Sequence, residues 1–203
     1  GLSAEITYDA MRRVNLRAGQ NAVTHWKVPT LEEALILCKD KIVVNIDKGF
    51  QYYGLIHPLL EKYGMLEQVL IKSNVTADRA AATFSKYDDN CLFMPIVNFG
   101  KKSYRKILES YERLKYQLMA NEVCWSEYTP EVETCMREVI AGGSKLWVNS
   151  LWLSLNGGLC DDAAVEGDPA EVYGKLVDMG ATMIQTDRPE LLISYLRARG
   201  LHD

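Results

Sequence analysis

Short β-type runs alternate with capped helices along most of this chain, and this alternation restricts its fold more than any other feature. The runs span residues 41–47, 68–73, 91–97, 122–125, 146–151 and 182–186. They are mostly apolar on consecutive residues, as is typical of strands that are covered on both faces. Alternating strands and helices predict a parallel sheet with helices outside it, so the chain is expected to have an α/β fold.

Capping residues indicate where helices begin between these runs. Thr30 and Glu33 form a capping box, and Thr129 directly before Pro130 is typical of another helix start. The polar residues 160–167 are predicted to form a loop.

Two architectures fit six strand–helix units in residues 41–203. The last strand lies between a helix that ends at Gly180 and one that begins near Pro189, which is how a βα-repeat barrel closes. A closed (β/α) barrel needs eight strands and about 250 residues, however, and this chain has 203. An incomplete barrel is therefore one possibility, and an open, doubly wound sheet is the other.

Composition excludes several classes of function. A net charge of −4, without a basic stripe, argues against a nucleic-acid partner. No apolar stretch approaches the roughly 18 residues that a transmembrane segment needs. The five cysteines contain no Cys-x-x-Cys pair, so neither a zinc knot nor a redox motif is expected.

The carboxyl ends of the predicted strands are where polar residues can work in a parallel α/β fold. Asn45 and Asp47 share one face of the first strand, and such a pair of oxygen donors suits a hard divalent cation. The alternative is that Asp47 only caps the following loop. Lys72, at the end of the next strand, is a candidate counter-charge for phosphate or else a solvated lysine. Glu127 is a second carboxylate of this edge or a solvated loop acid.

Several of these segments resemble the glycerophosphodiester phosphodiesterase family. The similarity is carried by the runs VPTLEEAL at 28–35, VVNID at 43–47 and TDRP at 186–189, and it spans residues 28–195. It implies a TIM-type (β/α) barrel, here incomplete with about six βα units. Residues 28–203 would be its C-terminal part, and residues 1–27 a connecting segment.

The resemblance also implies roles for particular residues. Asp47 takes the position of an acidic ligand of the catalytic Mg or Ca ion. Asn149 and Trp152 lie where the family places a substrate-wall aromatic residue and its neighbours, although a buried Trp is more often part of a core. Together with Lys72 and Glu127, they are the predicted substrate-binding residues.

Two features depart from the family. Its lysine stands two residues after the acid, whereas Lys48 is adjacent to Asp47 and would point away in an extended strand. Its catalytic His-Arg-Gly and Glu-x-Asp motifs do not occur, and His25, His57 and His202 are interpreted as surface or packing residues. We identify no catalytic residue in the chain and expect about 70–90 further N-terminal residues, at roughly 30 or more per βα unit.

The resemblance implies a parent enzyme of glycerophosphodiester and lipid metabolism. It would use a divalent cation to hydrolyse a small phosphodiester to an alcohol and glycerol phosphate. The present chain is expected to bind metal weakly and to be inactive alone.

Two other interpretations remain open. One is a non-catalytic, barrel-derived binding or assembly module, whose exposed sheet edges would favour a dimer or complementation by a second fragment. The other is an unrelated open α/β phosphate binder. The chain begins at Gly1 without a methionine or a signal segment, so we expect its natural start to lie elsewhere, and cytoplasmic, periplasmic and secreted locations all stay open.

Overall fold

The computed structural model describes residues 5–87, 91–114 and 118–203. The described strands are β1 (Asn15–Arg17), β2 (Val23–Lys27), β3 (Val44–Ile46), β4 (Val69–Ser73), β5 (Leu92–Asn98), β6 (Asn121–Cys124), β7 (Leu146–Asn149) and β8 (Ala181–Gln185). The described α-helices are α1 (Tyr8–Arg13), α2 (Leu31–Cys38), α3 (Tyr53–Tyr63), α4 (Ala77–Phe84), α5 (Tyr104–Leu114), α6 (Pro130–Ala141), α7 (Asp161–Glu166), α8 (Lys175–Asp178) and α9 (Pro189–Ala198). A π-helical turn, Ala170–Gly174, leads into α8. None of these helices is long and apolar enough to cross a membrane.

Strands β3 to β8 form one sheet in which every neighbouring pair is parallel and the spatial order follows the chain. Helices alternate with the strands, and the sheet curls into a half-barrel. The prediction of an α/β, TIM-type barrel that is incomplete and has about six βα units is thereby confirmed. An open, doubly wound sheet would change the order of its strands at a switch point, and this sheet does not.

The two faces of the curled sheet carry different cores. Val69, Ile71 and Val123 belong to the large core between the sheet and the helices. Leu70 and Met94 belong to a smaller apolar cluster on the opposite, concave face. Since successive strand residues point to opposite faces, Lys72 and Glu122 lie on the concave face as well.

The described part of the predicted connecting segment, residues 5–27, contains α1 and the antiparallel pair β1–β2, which is separate from the six-stranded sheet. Arg12 joins it to the barrel by donating to both carboxylate oxygens of Glu33, at 2.9 and 3.0 Å. Glu33 also completes the predicted capping box with Thr30 at the start of α2.

Two parts of the chain differ from the sequence-based expectation. Residues 160–167, predicted to be a loop, contain α7, because a buried Asp161 and Ala164 fix this segment against the sheet. The helix α3 was not predicted, since Gly54 and Pro58 interrupt its helical pattern.

Candidate functional site

Three charged side chains come together in what we call the ion cluster: Asp47 just after β3, Lys72 near the carboxyl end of β4, and Glu122 in the amino-terminal half of β6. The Lys72 ammonium nitrogen lies 2.9 Å from Glu122 Oε2 and 3.7 Å from Asp47 Oδ1. The side chains of Lys72 and Glu122 are each 5% exposed, whereas that of Asp47 is 61% exposed. The cluster therefore runs from the inside of the half-barrel to its open rim.

The curvature of the sheet makes the contact between Lys72 and Glu122 possible. Lys72 pairs in register with Met94 of β5, and Glu122 pairs with Ile96 of the same strand. The two charged residues are thus separated by a whole strand, and neighbouring strands lie about 4.8 Å apart. Their long side chains meet because both project from the concave face.

Two buried side-chain oxygens, one in the ion cluster and one on the same face of the sheet, lack a hydrogen bond. Glu122 Oε2 lies close to the lysine, but the pair is not aligned as a hydrogen bond. The side-chain oxygen of Asn45, on the same face of β3 as Asp47, is buried without a hydrogen-bond partner. Buried polar atoms in native structures usually have such partners, so these oxygens require an explanation.

The oxygen donors at this site fit a hard divalent cation in kind, because Mg²⁺ and Ca²⁺ bind carboxylate and amide oxygens. Asp47 offers an exposed carboxylate, and Asn45 offers a buried oxygen without a partner. They are few in number, since the described residues contain no group of three or more His, Cys, Asp or Glu side chains that could hold a metal.

A tight turn follows Asp47. Lys48 adopts a left-handed backbone conformation, φ 56°, and is exposed. The next residue, Gly49, is buried, and a Cβ atom there would lie 2.9 Å from Ile46 Cγ2 and 3.1 Å from Ile71 Cδ1. The chain thus turns away directly after the acid, and the charged contact to Asp47 comes from Lys72 instead.

The other sequence-predicted residues lie around the carboxyl ends of β6 and β7. Glu127 is exposed and lines a cavity of about 230 Å³ together with Phe99 and Trp125. Asn149 is buried, and its Oδ1 accepts a hydrogen bond from the Leu151 amide, so this oxygen stabilises its own turn. Trp152 is 64% exposed and is therefore not part of the core. None of these three makes a described contact with the ion cluster.

Cys124 lies two residues after Glu122 on the same face of β6 and is buried. Burial, reinforced by the negative charge of Glu122, raises the pKa of the Cys124 thiol to about 12. The thiol therefore stays protonated at neutral pH and is not a nucleophile of this site.

A second buried carboxylate, Asp161, was not identified as a candidate in the sequence. Its Oδ1 lies 2.7 Å from Ser150 Oγ, 2.8 Å from Thr186 Oγ1 and 3.0 Å from the Tyr173 hydroxyl. Its Oδ2 accepts a hydrogen bond of 2.7 Å from the Asp187 amide. Asp161 thus ties the ends of β7 and β8 to the π-helical turn.

Sequence reasoning missed Glu122 as well, although a signal was present. A glutamate within a run that otherwise reads as a buried strand is unusual, because buried charges need a partner. Lys72 lies in another run that reads as a buried strand, so the sequence contained one buried charge of each sign, which could be expected to pair.

The three histidines lie outside the cluster. His25 is part of β2, and His202 follows α9. His57, in α3, is buried between the rings of Tyr53 and Tyr87 and lies 3.3 Å from Glu61. Their positions agree with the interpretation of these residues as surface or packing residues.

Comparisons with known proteins give one family and one similar fold. Residues 93–196 match the model of DUF4996, a family described as a domain of unknown function. No curated protein matches the chain. The chain is similar to the crystal structure of a glycerophosphodiester phosphodiesterase from Parabacteroides distasonis ATCC 8503, with a TM-score of 0.60 and 17% identity. The match covers 96% of this chain and 72% of the other. At this identity the likeness shows the fold alone.

Proposed function

The chain belongs to the DUF4996 family, and we propose that it forms the phosphate-binding part of a metal-dependent phosphodiester hydrolase. The substrate is a glycerophosphodiester, and the products are an alcohol and glycerol phosphate. One observation carries the proposal: Asp47 and Lys72 lie 3.7 Å apart at the carboxyl ends of two neighbouring parallel strands, the edge at which (β/α) barrels hold their active sites. The shared fold with a glycerophosphodiester phosphodiesterase supports the choice of reaction.

Each residue of the site has a proposed role. Asp47, exposed at the rim, holds the divalent cation with the help of the Asn45 oxygen. Lys72 provides the positive charge for a phosphate oxygen, because its ammonium lies within 4 Å of the same carboxylate. The exposed ring of Trp152 and the carboxylate of Glu127 contact the alcohol portion, and Asn149 shapes the turn that carries Trp152.

The divalent cation would polarise the phosphoryl oxygens and neutralise developing negative charge. Acid–base catalysis needs a positioned group near the reacting phosphate, most often a histidine. Since His25, His57 and His202 lie elsewhere, we expect the chain by itself to hydrolyse substrate poorly.

The experiment that tests this function is an assay of the natural full-length protein on glycerophosphocholine, with Mg²⁺ or Ca²⁺ and with a chelator. We expect metal-dependent release of glycerol phosphate and a loss of about 100-fold or more in Asp47→Asn, on the scale of a lost transition-state contact. Asp162→Asn is the matched control, because Asp162 is an exposed carboxylate outside the ion cluster. Absence of hydrolysis by the full-length protein with either metal would contradict the proposal.

A second candidate function, assembly without catalysis, is favoured by the exposed edge of the sheet. β3 pairs with β4 alone among the described strands, and the adjacent Ile42 and Val43 are 63% and 46% exposed. Apolar edge strands tend to pair with another chain. A stable dimer in analytical ultracentrifugation, combined with phosphodiester binding but no turnover, would favour this function.

A further inference from the structure

We propose that the Lys72 ammonium group is the resident cation of the ion cluster and that a divalent cation binds there by displacing it. The divalent cation would then take Glu122 as a second carboxylate ligand, in addition to Asp47. The inference deepens the proposed function, on which it rests, by stating how the same site is loaded.

The geometry of the ion cluster is the first step of the argument. One atom, Lys72 Nζ, has carboxylate oxygens of both Asp47 and Glu122 within 4 Å. Two carboxylates that face a single positive centre form the arrangement in which proteins hold a divalent cation. In this structure the positive centre is an ammonium group.

Charge balance is the second step. Two carboxylates and one ammonium leave the cluster with one negative charge. A divalent cation bound to Asp47 would meet the lysine at close range, in a surrounding that screens charge poorly because Lys72 and Glu122 are buried. If the ammonium leaves, the two carboxylates can neutralise the divalent cation completely. Metal binding and the present position of Lys72 therefore exclude each other.

The incomplete contacts of the cluster are the third step. Glu122 Oε2 is not aligned for a hydrogen bond with the lysine, and Asn45 Oδ1 has no hydrogen-bond partner. Both are oxygen acceptors, which hard cations prefer as ligands. Glu122 therefore keeps acceptor capacity that the ammonium group does not use, and Asn45 offers a further acceptor on the same face of the sheet.

The exchange has a consequence for substrate. Lysine carries its charge on a flexible stem of four carbons, so the ammonium can move without a change in the backbone. Once released from both carboxylates, Lys72 is free to contact a phosphate oxygen at the open rim. Cation loading would therefore switch on phosphate binding.

The first experiment uses the wild-type protein and measures the reactivity of its lysines. Acetic anhydride labelling, followed by mass spectrometry, is performed with and without saturating Ca²⁺. We expect labelling of Lys72 to rise at least about threefold with Ca²⁺, since exchange frees an amine that is otherwise 5% exposed. Lys48, exposed beside the same acid, serves as the internal control and should be unchanged. Ca²⁺ binding without any rise at Lys72 would overturn the proposal.

The second experiment compares two neutralised lysines by calorimetric titration with Ca²⁺. Lys72→Gln removes the resident cation but leaves an amide that can donate to Glu122. Lys48→Gln makes the same charge change beside Asp47. We expect Lys72→Gln to bind Ca²⁺ at least about tenfold more tightly than wild type, a difference of 1.4 kcal/mol, and Lys48→Gln to change affinity much less.

The double variant Lys72→Gln/Glu122→Gln tests the second ligand, and it should lose the gain in Ca²⁺ affinity. Equal affinity of Lys72→Gln and wild type, or retention of the gain in the double variant, would contradict the exchange. Because these measurements need no catalysis, they can succeed where the hydrolysis assay fails. The two proposals can therefore be rejected independently.

Discussion

Two buried carboxylates of this fold, Glu122 and Asp161, are stabilised in opposite ways. Glu122 has a positive partner, Lys72 at 2.9 Å, but no well-aligned hydrogen bond. Asp161 has four hydrogen-bond donors and no described cation at its carboxylate. Fully satisfied networks rigidify a structure, whereas an incompletely satisfied buried group requires an explanation, of which a bound ion is one. Asp161 thus belongs to the framework, and the unused acceptor capacity of Glu122 fits its proposed role as a metal ligand.

The largest expected effect is the loss of stability when Asp161 is replaced. Asp161→Ala should lower the free energy of unfolding by about 3–5 kcal/mol, because several buried donors lose their acceptor at once. Urea denaturation measures this loss. The adjacent, exposed Asp162→Ala is the control and should change stability by less than about 0.5 kcal/mol. A loss of less than about 1 kcal/mol in Asp161→Ala would contradict the assignment of Asp161 to the framework.

The next effect concerns the ion cluster. Lys72→Met should cost about 3 kcal/mol, since it leaves Glu122 as a buried charge without its partner. The double variant Lys72→Met/Glu122→Leu should return to within about 1 kcal/mol of wild type, because apolar residues of similar volume often replace a buried ion pair without loss. Urea denaturation of both variants tests this, and a double variant as unstable as the single one would indicate a structural role for the pair.

The smallest effect is a dependence on pH at Tyr173, whose hydroxyl contacts Asp161. Burial raises the pKa of Tyr173 from 10.0 to about 12. Between these values the folded protein keeps a proton that the unfolded chain has lost, so this group's contribution to stability falls as pH rises. Tyr173→Phe should cost about 1 kcal/mol at pH 7 through the lost hydrogen bond.

The difference between wild type and Tyr173→Phe should then narrow as pH rises from 10 toward 12, as measured by denaturation at each pH. Tyr8→Phe, at an exposed tyrosine, is the control and should follow wild type throughout. A constant difference between wild type and Tyr173→Phe would show that the tyrosine is not linked to stability in this way.

The sequence predicted the strands well because each one is an apolar run between polar turns. The six strands of the sheet all fall within or next to the predicted runs. Two helices, α3 and α7, were harder to predict from the sequence. α3 contains Pro58, and α7 is short and polar, so neither shows the apolar periodicity on which such predictions depend.

The candidate site was predictable only in part, for a geometric reason. Asp47 and Lys72 each end a strand, so the sequence placed both at the same edge of the sheet. The burial of Lys72 depends on Glu122, which lies two strands away and meets it only because the sheet curls. Neither register nor curvature can be read from one sequence, and Asp161 likewise acquires its donors from distant segments.

The crowding at Gly49 has a practical consequence for anyone who redesigns this protein. A lysine placed two residues after the acid would bring its Cβ to 2.9 Å from Ile46 Cγ2, 3.1 Å from Ile71 Cδ1 and 3.2 Å from Ile56 Cδ1. A Gly49→Lys substitution would therefore displace these apolar side chains, whether or not the new ammonium group reached the acid. An engineer would have to shorten all three isoleucines together, or accept the neighbouring strand as the source of the positive group.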